Sequence, residues 1–226
     1  MAKRIYIDPG HSEKDPGAVG YAVERDLNEK TAKFMNEYLQ ATYVCETKVD
    51  PITTNSVSQV AANANAWKAD LLVSIHFNAG GGDGYEALIY SNARKALGQI
   101  FEKHVKAIGQ NSRGVKIRTD LGVLRLSNMP AVLNEGAFVD NKKDIQDWDE
   151  DHELMKLGIA YAMAAAEFLG LEKKAEEPAP APAEPEAENV LYRVQVGAFR
   201  NPENAGNLKD QLKAAGFDGF IVKTMQ

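Results

Sequence analysis

The chain has 226 residues, a formal net charge of −6, and 44% hydrophobic against 26% charged residues, the balance of an ordinary globular protein. That length allows one sizeable domain plus something smaller, and the acidic balance argues against nucleic acid as the main partner. No stretch approaches the run of about 20 apolar residues that a membrane span needs, and a single cysteine, Cys45, excludes an internal disulfide framework.

KRIYI (3–7) reads as a strand, broken by Asp8-Pro9-Gly10, so that His11 stands at the mouth of a loop. Asp8 is expected to shape that turn, and Asp15 falls before Pro16 in the loop. The N-terminus MAKRIYID passes directly into the strand pattern without an apolar signal core. The expectation is therefore a chain made in the cytoplasm with no export signal of its own. Apolar spacing predicts a helix over 27–42, with Leu27, Phe34, Met35 and Tyr38 on its inner face. Glu24 lies in the loop just before it. YVCETKV (43–49) reads as a strand in which Cys45 is a small buried residue rather than a nucleophile. Residues 56–69 form an Ala-rich helix, with Asn55 or Ser56 as its cap.

LLVSIHF (71–77) is a continuous apolar run, the mark of a strand buried on both faces; it delivers His76 to a flexible GGGDG segment. YEALIY (85–90) reads as a strand and 93–109 as an amphipathic helix. GVLRL (122–126) and PAVLNEGAF (130–138) read as short strands, with Glu135 following PAVLN. The acidic run DIQDWDEDHE (144–153) reads as a solvated loop leading into a long helix over 151–169. It lacks the glycine and ligand spacing of a calcium loop. His104 and His152 read as solvated helix-face residues. Alternating strands and helices imply an α/β fold, with a mixed, largely parallel central sheet flanked by helices.

EKKAEEPAPAPAEPEAEN (172–189) cannot build a core and reads as an extended, self-repelling linker. It separates a large N-terminal unit, 1–171, from a small C-terminal unit, 190–226, whose pattern predicts a β-α-β arrangement.

In open α/β sheets ligands gather at the carboxyl ends of strands, which singles out His11, His76 and Glu135. Two histidines and a carboxylate can hold zinc at three positions and leave the fourth for water. A separate carboxylate can then take the water's proton and return it to a leaving amine. No HExxH pair fixes two ligands on one helical turn, so spacing alone leaves this set open.

IYIDPGHSEKDPGAVG, Glu24 with Leu27-Asn28, DLLVSIHFNA and MPAVLNEGAFVDN resemble, in order, the motifs of zinc-dependent N-acetylmuramoyl-L-alanine amidases, covering nearly all of residues 1–171. The resemblance implies a six-stranded mixed sheet, zinc ligands at His11, Glu24 and His76, and a catalytic glutamate at Glu135. It implies peptidoglycan as substrate, cut at the amide between N-acetylmuramic acid and L-alanine. Asn78 and Asn141 lie inside the motifs without an assigned role. Val60 and Lys48 stand where the family usually has arginines.

VLYRVQVGAFRNPENAGNLKDQLKAAGFDGFIV is similar to the front half of a SPOR repeat, a peptidoglycan-binding module. It implies wall binding, or self-association through residues 190–226. Two alternatives share parts of this pattern: a zinc peptidase acting within the stem peptide, and a non-catalytic wall-binding protein. Without an export signal, the enzyme is expected to reach the wall by phage lysis or mother-cell lysis, as an endolysin or a sporulation or autolytic hydrolase.

Overall fold

The computed structural model describes residues 2–54, 56–175, 195–199, 201–214, 217 and 219–223. The chain divides into two compact units, 1–175 and 176–226. The first is built on β1 (Lys3–Pro9), α1 (Glu24–Thr42), β2 (Cys45–Val49), α2 (Val57–Ala66), β3 (Leu71–Asn78), β4 (Tyr85–Ile89), α3 (Lys95–Ala107), β5 (Ser112–Ile117), α4 (Gly122–Arg125), β6 (Ala131–Phe138), α5 (Lys142–Ile145) and α6 (Asp151–Leu169). Its six strands form one sheet in the order β2-β1-β3-β6-β4-β5. Every neighbouring pair is parallel except β4–β6. The expected α/β class with a mixed, largely parallel sheet is what the chain forms.

Side chains alternate across a strand, and here the two faces are covered unequally. Ile5, Ile7, Leu71, Val73, Ile75 and Val132 face the long helices α1, α3 and α6, in a core with Met35, Phe101 and Leu157. Tyr6, Leu72, Leu88 and Leu133 face only the short helices α2 and α4, through Val60, Ala64, Val123 and Leu124. Further along the strands, on that same second face, come the polar residues Asp8, Ser74, His76, Glu135 and Glu86. The thin helical cover thus gives way to polar groups at the carboxyl ends of the parallel strands β1, β3 and β6, where a site is expected.

Five expectations need correction. GVLRL is not a strand: Gly122–Arg125 is a helical turn, which lets the adjacent Val123 and Leu124 both pack into the core shared with Val60 and Ala64 of α2. The missing strand is SRGVKI, an edge strand whose exposed Arg113 and Ile117 and positive-φ Gly114 hide its pattern. Helix α1 starts at Glu24, which is therefore a first-turn residue and not part of the loop. Asp8 and Pro9 belong to β1, and Asp8 is buried, accepting a hydrogen bond from Ser74 Oγ at 2.7 Å. The acidic run 144–153 is not wholly solvated: Asp144, Ile145 and Trp148 are buried. Asp144 accepts from the backbone N–H of Gly84 and Phe138 and from Gln110 Nε2.

Residues 172–174 of the expected linker are hydrogen-bonded back to the chain around 42–44, between Glu172 and Val44 and between Lys174 and Thr42. The rest of the linker, beyond 175, and residues 190–194 lie outside the described residues. In the second unit α7 (Pro202–Ala214) forms as expected. The described residues on either side, 195–199, 217 and 219–223, are assigned to no strand. A lone strand pair without a third strand or a packed face is marginal, and Phe217, Phe220 and Val222 are exposed.

Candidate metal centre and active site

Three elements converge on one point. His11 follows β1 directly and has φ 74, a left-handed conformation that costs a non-glycine residue about 1 kcal/mol or more. Such strain is stored where the surroundings over-determine a residue. Asn28 of α1 holds the preceding turn by donating to the Gly10 carbonyl at 2.9 Å. Gly10 itself must be glycine, since a Cβ there would sit 2.2 Å from His76 Cε1 and Nε2. Gly17, with φ 67, is equally confined: its Cβ would fall 2.5 Å from His11 Cδ2 and 2.6 Å from Glu24 Oε2. His76 enters from the end of β3.

Glu24 joins the two histidines. Its Oε2 lies 3.0 Å from His11 Nε2, and its Oε1 lies 2.9 Å from His76 Nδ1. The carboxylate also accepts from the backbone N–H of Ala18 at 2.8 Å and of Phe77 at 3.2 Å. Its position in the first turn of α1 places it at the positive end of the helix dipole. One donor atom from each of His11, Glu24 and His76 lies within 4.8 Å of the others. Tetrahedral zinc with bonds of about 2.0–2.1 Å needs donor separations of about 3.3 Å, so small adjustments suffice. Two imidazoles and one carboxylate are also the chemistry of a zinc donor set. On the far side of its ring, His11 Nδ1 lies 3.0 Å from Asp15 Oδ2, a carboxylate–histidine pairing that fixes the tautomer of a metal ligand.

The electrostatics show how strongly this cluster demands positive charge. Burial alone would lower the pKa of His11, but hydrogen bonds and charge from Glu24 and Asp15 hold it up at about 9. Burial likewise opposes protonation of His76, yet Glu24, Glu135 and Asp8 raise its pKa above the usual value. Burial disfavours the Glu24 charge, but the two histidines and the Ala18 N–H pull its carboxyl far below the ordinary range.

Glu135 sits opposite His76 in the β3–β6 ladder, on the same sheet face. Its Oε2 is buried and has no hydrogen-bond partner among the described residues. Burial, reinforced by Glu24 and Glu86 and opposed by His76 and His11, pushes its pKa up to about 7. A carboxyl balanced near neutral pH, with an oxygen left to bond something absent from the protein, is suited to general acid–base work. Beside the histidines lies a cavity of about 220 Å³ whose apolar walls include Val57, Val60, Leu121 and Leu133, with Asp8 and Asp15 at its polar side. A second cavity of about 260 Å³, near Gln110, Trp148 and Glu153, contains none of the four residues.

All four residues singled out in the sequence, His11, Glu24, His76 and Glu135, are thus brought to one end of the sheet. Residues 5–167 match the family model described as N-acetylmuramoyl-L-alanine amidase. The chain belongs to that family. A model described as the SPOR domain matches residues 163–224. The amidase is 33% identical over 229 residues to N-acetylmuramoyl-L-alanine amidase CwlM of Bacillus licheniformis, spanning 97% of this chain and 84% of that one. It is 36% identical over 193 residues to an endolysin of Bacillus phage SPP1, spanning 80% of this chain and 71% of the phage protein. Among solved structures it resembles the catalytic domain of CwlV, an N-acetylmuramoyl-L-alanine amidase from Bacillus (Paenibacillus) polymyxa var. colistinus. That likeness has a TM-score of 0.71 at 28% identity, over 75% of this chain and 99% of that one. The amidase is a cell-wall enzyme by family, with no helix among its described residues long and apolar enough to cross a membrane.

Three further residues complete the site in roles that their sequence positions did not assign. Asp15, four residues after His11, had the His-x-x-x-Asp spacing as its only signal. Asn28 and Gly10 shape the site through backbone contacts that no local pattern reveals. Val60, at an expected arginine position, is buried against α4 and lines the cavity. Asn141 caps α5 by accepting from Lys143 N and donates to the Gly82 carbonyl. The glycine segment after β3 is not slack, since the N–H groups of Gly80 and Gly81 both bond Asp140.

Proposed function

We propose that the chain is a zinc-dependent hydrolase of the amide between N-acetylmuramic acid and L-alanine, with His11, Glu24 and His76 as metal ligands and Glu135 as the acid–base residue. The observation that carries this reading is the convergence of the three donor atoms beside a buried glutamate oxygen that has no partner. Zinc in this place supplies a Lewis acid for the scissile carbonyl and an acidified water. Glu135 takes the proton of the attacking water and returns it to the departing alanine amine, a cycle suited to a pKa near 7. Asp15 holds the His11 ring, while the Ala18 and Phe77 N–H groups fix the Glu24 carboxylate.

The SPOR-matching segment serves this reading as a wall-binding module, with self-association through residues 190–226 as a further part of it. Relatives named as an endolysin and as a sporulation-specific amidase of Bacillus subtilis support action on the wall after release by lysis. Glu135→Ala tests the catalytic role. It is expected to keep the fold and most of the zinc while abolishing release of free amino groups from purified wall. Retained hydrolysis removes Glu135 from the mechanism. New amino termini from stem residues other than the first alanine support the zinc-peptidase alternative.

A further inference from the structure

The β4–β5 edge carries charge that the reaction centre does not use. Glu86 stands directly across from Glu135 in the antiparallel β4–β6 ladder, so the two carboxylates share one face of the sheet. Glu86 is buried, with 6% of its surface exposed. Its Oε1 accepts from both Arg113 Nε and Lys116 Nζ of β5, whose side chains are 41% and 42% exposed. Arg113 is held a second time, its guanidinium lying 5.2 Å from the centroid of the Phe138 ring. Neutralising a buried carboxylate takes one cation, and here two converge on a single oxygen. The surplus positive charge is half in solvent and fixed from below, which is the arrangement of a preorganised receptor for an anion.

The opposite flank of the centre has the reverse character. There the 220 Å³ cavity has apolar walls and, apart from the two histidines of the centre itself, no cationic side chain among its described lining residues to hold a carboxylate. The scissile amide likewise joins two unlike parts. On the sugar side the lactyl acid is consumed in the amide itself, whereas the stem peptide carries free carboxylates. Resting on the amidase reading above, we propose that Arg113 and Lys116 bind a free carboxylate of the substrate's stem peptide, directing the peptide over β4–β5 and the sugar toward the β1–α2 side. The dimensions agree. Two strand spacings of about 4.8 Å put β5 about 10 Å from β6, the reach of roughly three extended residues at about 3.3–3.6 Å each.

The test uses the full-length, zinc-loaded protein and two synthetic muramyl tripeptides, one with its carboxylates free and one with all of them amidated. The wild-type kcat/KM is expected to favour the free acid by about tenfold or more, since charge-assisted hydrogen bonds discriminate at that level. The preference should shrink as salt is raised, because exposed charges are screened. Arg113→Gln with Lys116→Gln should bring the acid-to-amide ratio to within about twofold, whereas Arg113→Lys with Lys116→Arg should keep most of it. Lys116→Gln alone, which leaves Arg113 on Glu86, guards against a folding defect and should lower the ratio about threefold. A wild-type ratio near one, or a ratio unchanged in the glutamine variants, overturns the assignment. Cleavage of neither tripeptide by the wild-type protein overturns instead the amidase reading on which it rests.

Discussion

Glu135 places a carboxyl where its charge is unwelcome, and the cost is measurable as stability. Burial first, and the neighbouring carboxylates second, move its pKa from the ordinary 4.5 up to about 7. A folded-state pKa above the unfolded one means that Glu135 costs nothing below about pH 4.5. Stability is then lost as pH rises through about 7, where the folded protein must carry the buried charge. The interval between those values corresponds to about 3 kcal/mol, an upper figure for a side chain that keeps some solvent contact. In protein freed of metal by a chelator, Glu135→Gln replaces the acid by a neutral group of nearly the same shape. The variant is therefore expected to match wild type near pH 4 and to exceed it by up to about 3 kcal/mol near pH 9. The titrations of His11 and His76 occur in both proteins and largely cancel in the difference. Urea unfolding curves at unit steps of pH supply the numbers. A difference that stays flat across the range, or a variant less stable than wild type at pH 9, would refute the environment assigned to Glu135.

Asp15→Asn should weaken zinc binding about 10–100-fold, the usual cost of losing a carboxylate behind a metal-bound histidine; competition with a chelating dye reads this directly, and unchanged affinity removes Asp15 from the site. Gly10→Ala should abolish metal binding and activity while leaving the far-ultraviolet circular dichroism intact, because the added Cβ would lie 2.2 Å from the His76 ring. A fully active Gly10→Ala protein would show that His76 is not held there. Asp144→Ala should destabilise the fold by about 3 kcal/mol or more, since it strips the Gly84 and Phe138 N–H groups and Gln110 Nε2 of their shared acceptor. A loss below about 1 kcal/mol in chemical denaturation would count against that network.

The parts of the fold legible in the sequence are those where burial is continuous or one-sided. LLVSIHF, a continuous apolar run, reads as an interior strand; the run 151–169 matches α6 at both ends, and the apolar face of 27–42 marks α1 but misses its first turn, Glu24–Asp26. The edge strand β5 was not legible, because an edge buries little and its charges point outward. GVLRL misled for the opposite reason: apolar residues in a short run fit a strand or a single helical turn, and only the packing against α2 decides. His11, His76 and Glu135 were readable because each follows or ends a strong strand, whereas Glu24 was marked by the motif resemblance. Asp15, Gly10 and Asn28 were not, since their importance lies in which ring or carbonyl comes near them in space. Arg113 and Lys116 became meaningful only once the antiparallel β4–β6 pairing set Glu86 beside Glu135.

The zinc-amidase reading is tested most directly by measuring metal content and reaction products on one preparation. Purified protein is analysed for bound metal, then incubated with purified peptidoglycan, and the released fragments are identified by mass spectrometry before and after chelation and zinc re-addition. The expected result is about one zinc per chain. The products should be intact stem peptides beginning with a free L-alanine amine, lost on chelation and restored by zinc. Hydrolysis that persists in full without metal, or fragments cut within the stem peptide, would contradict it.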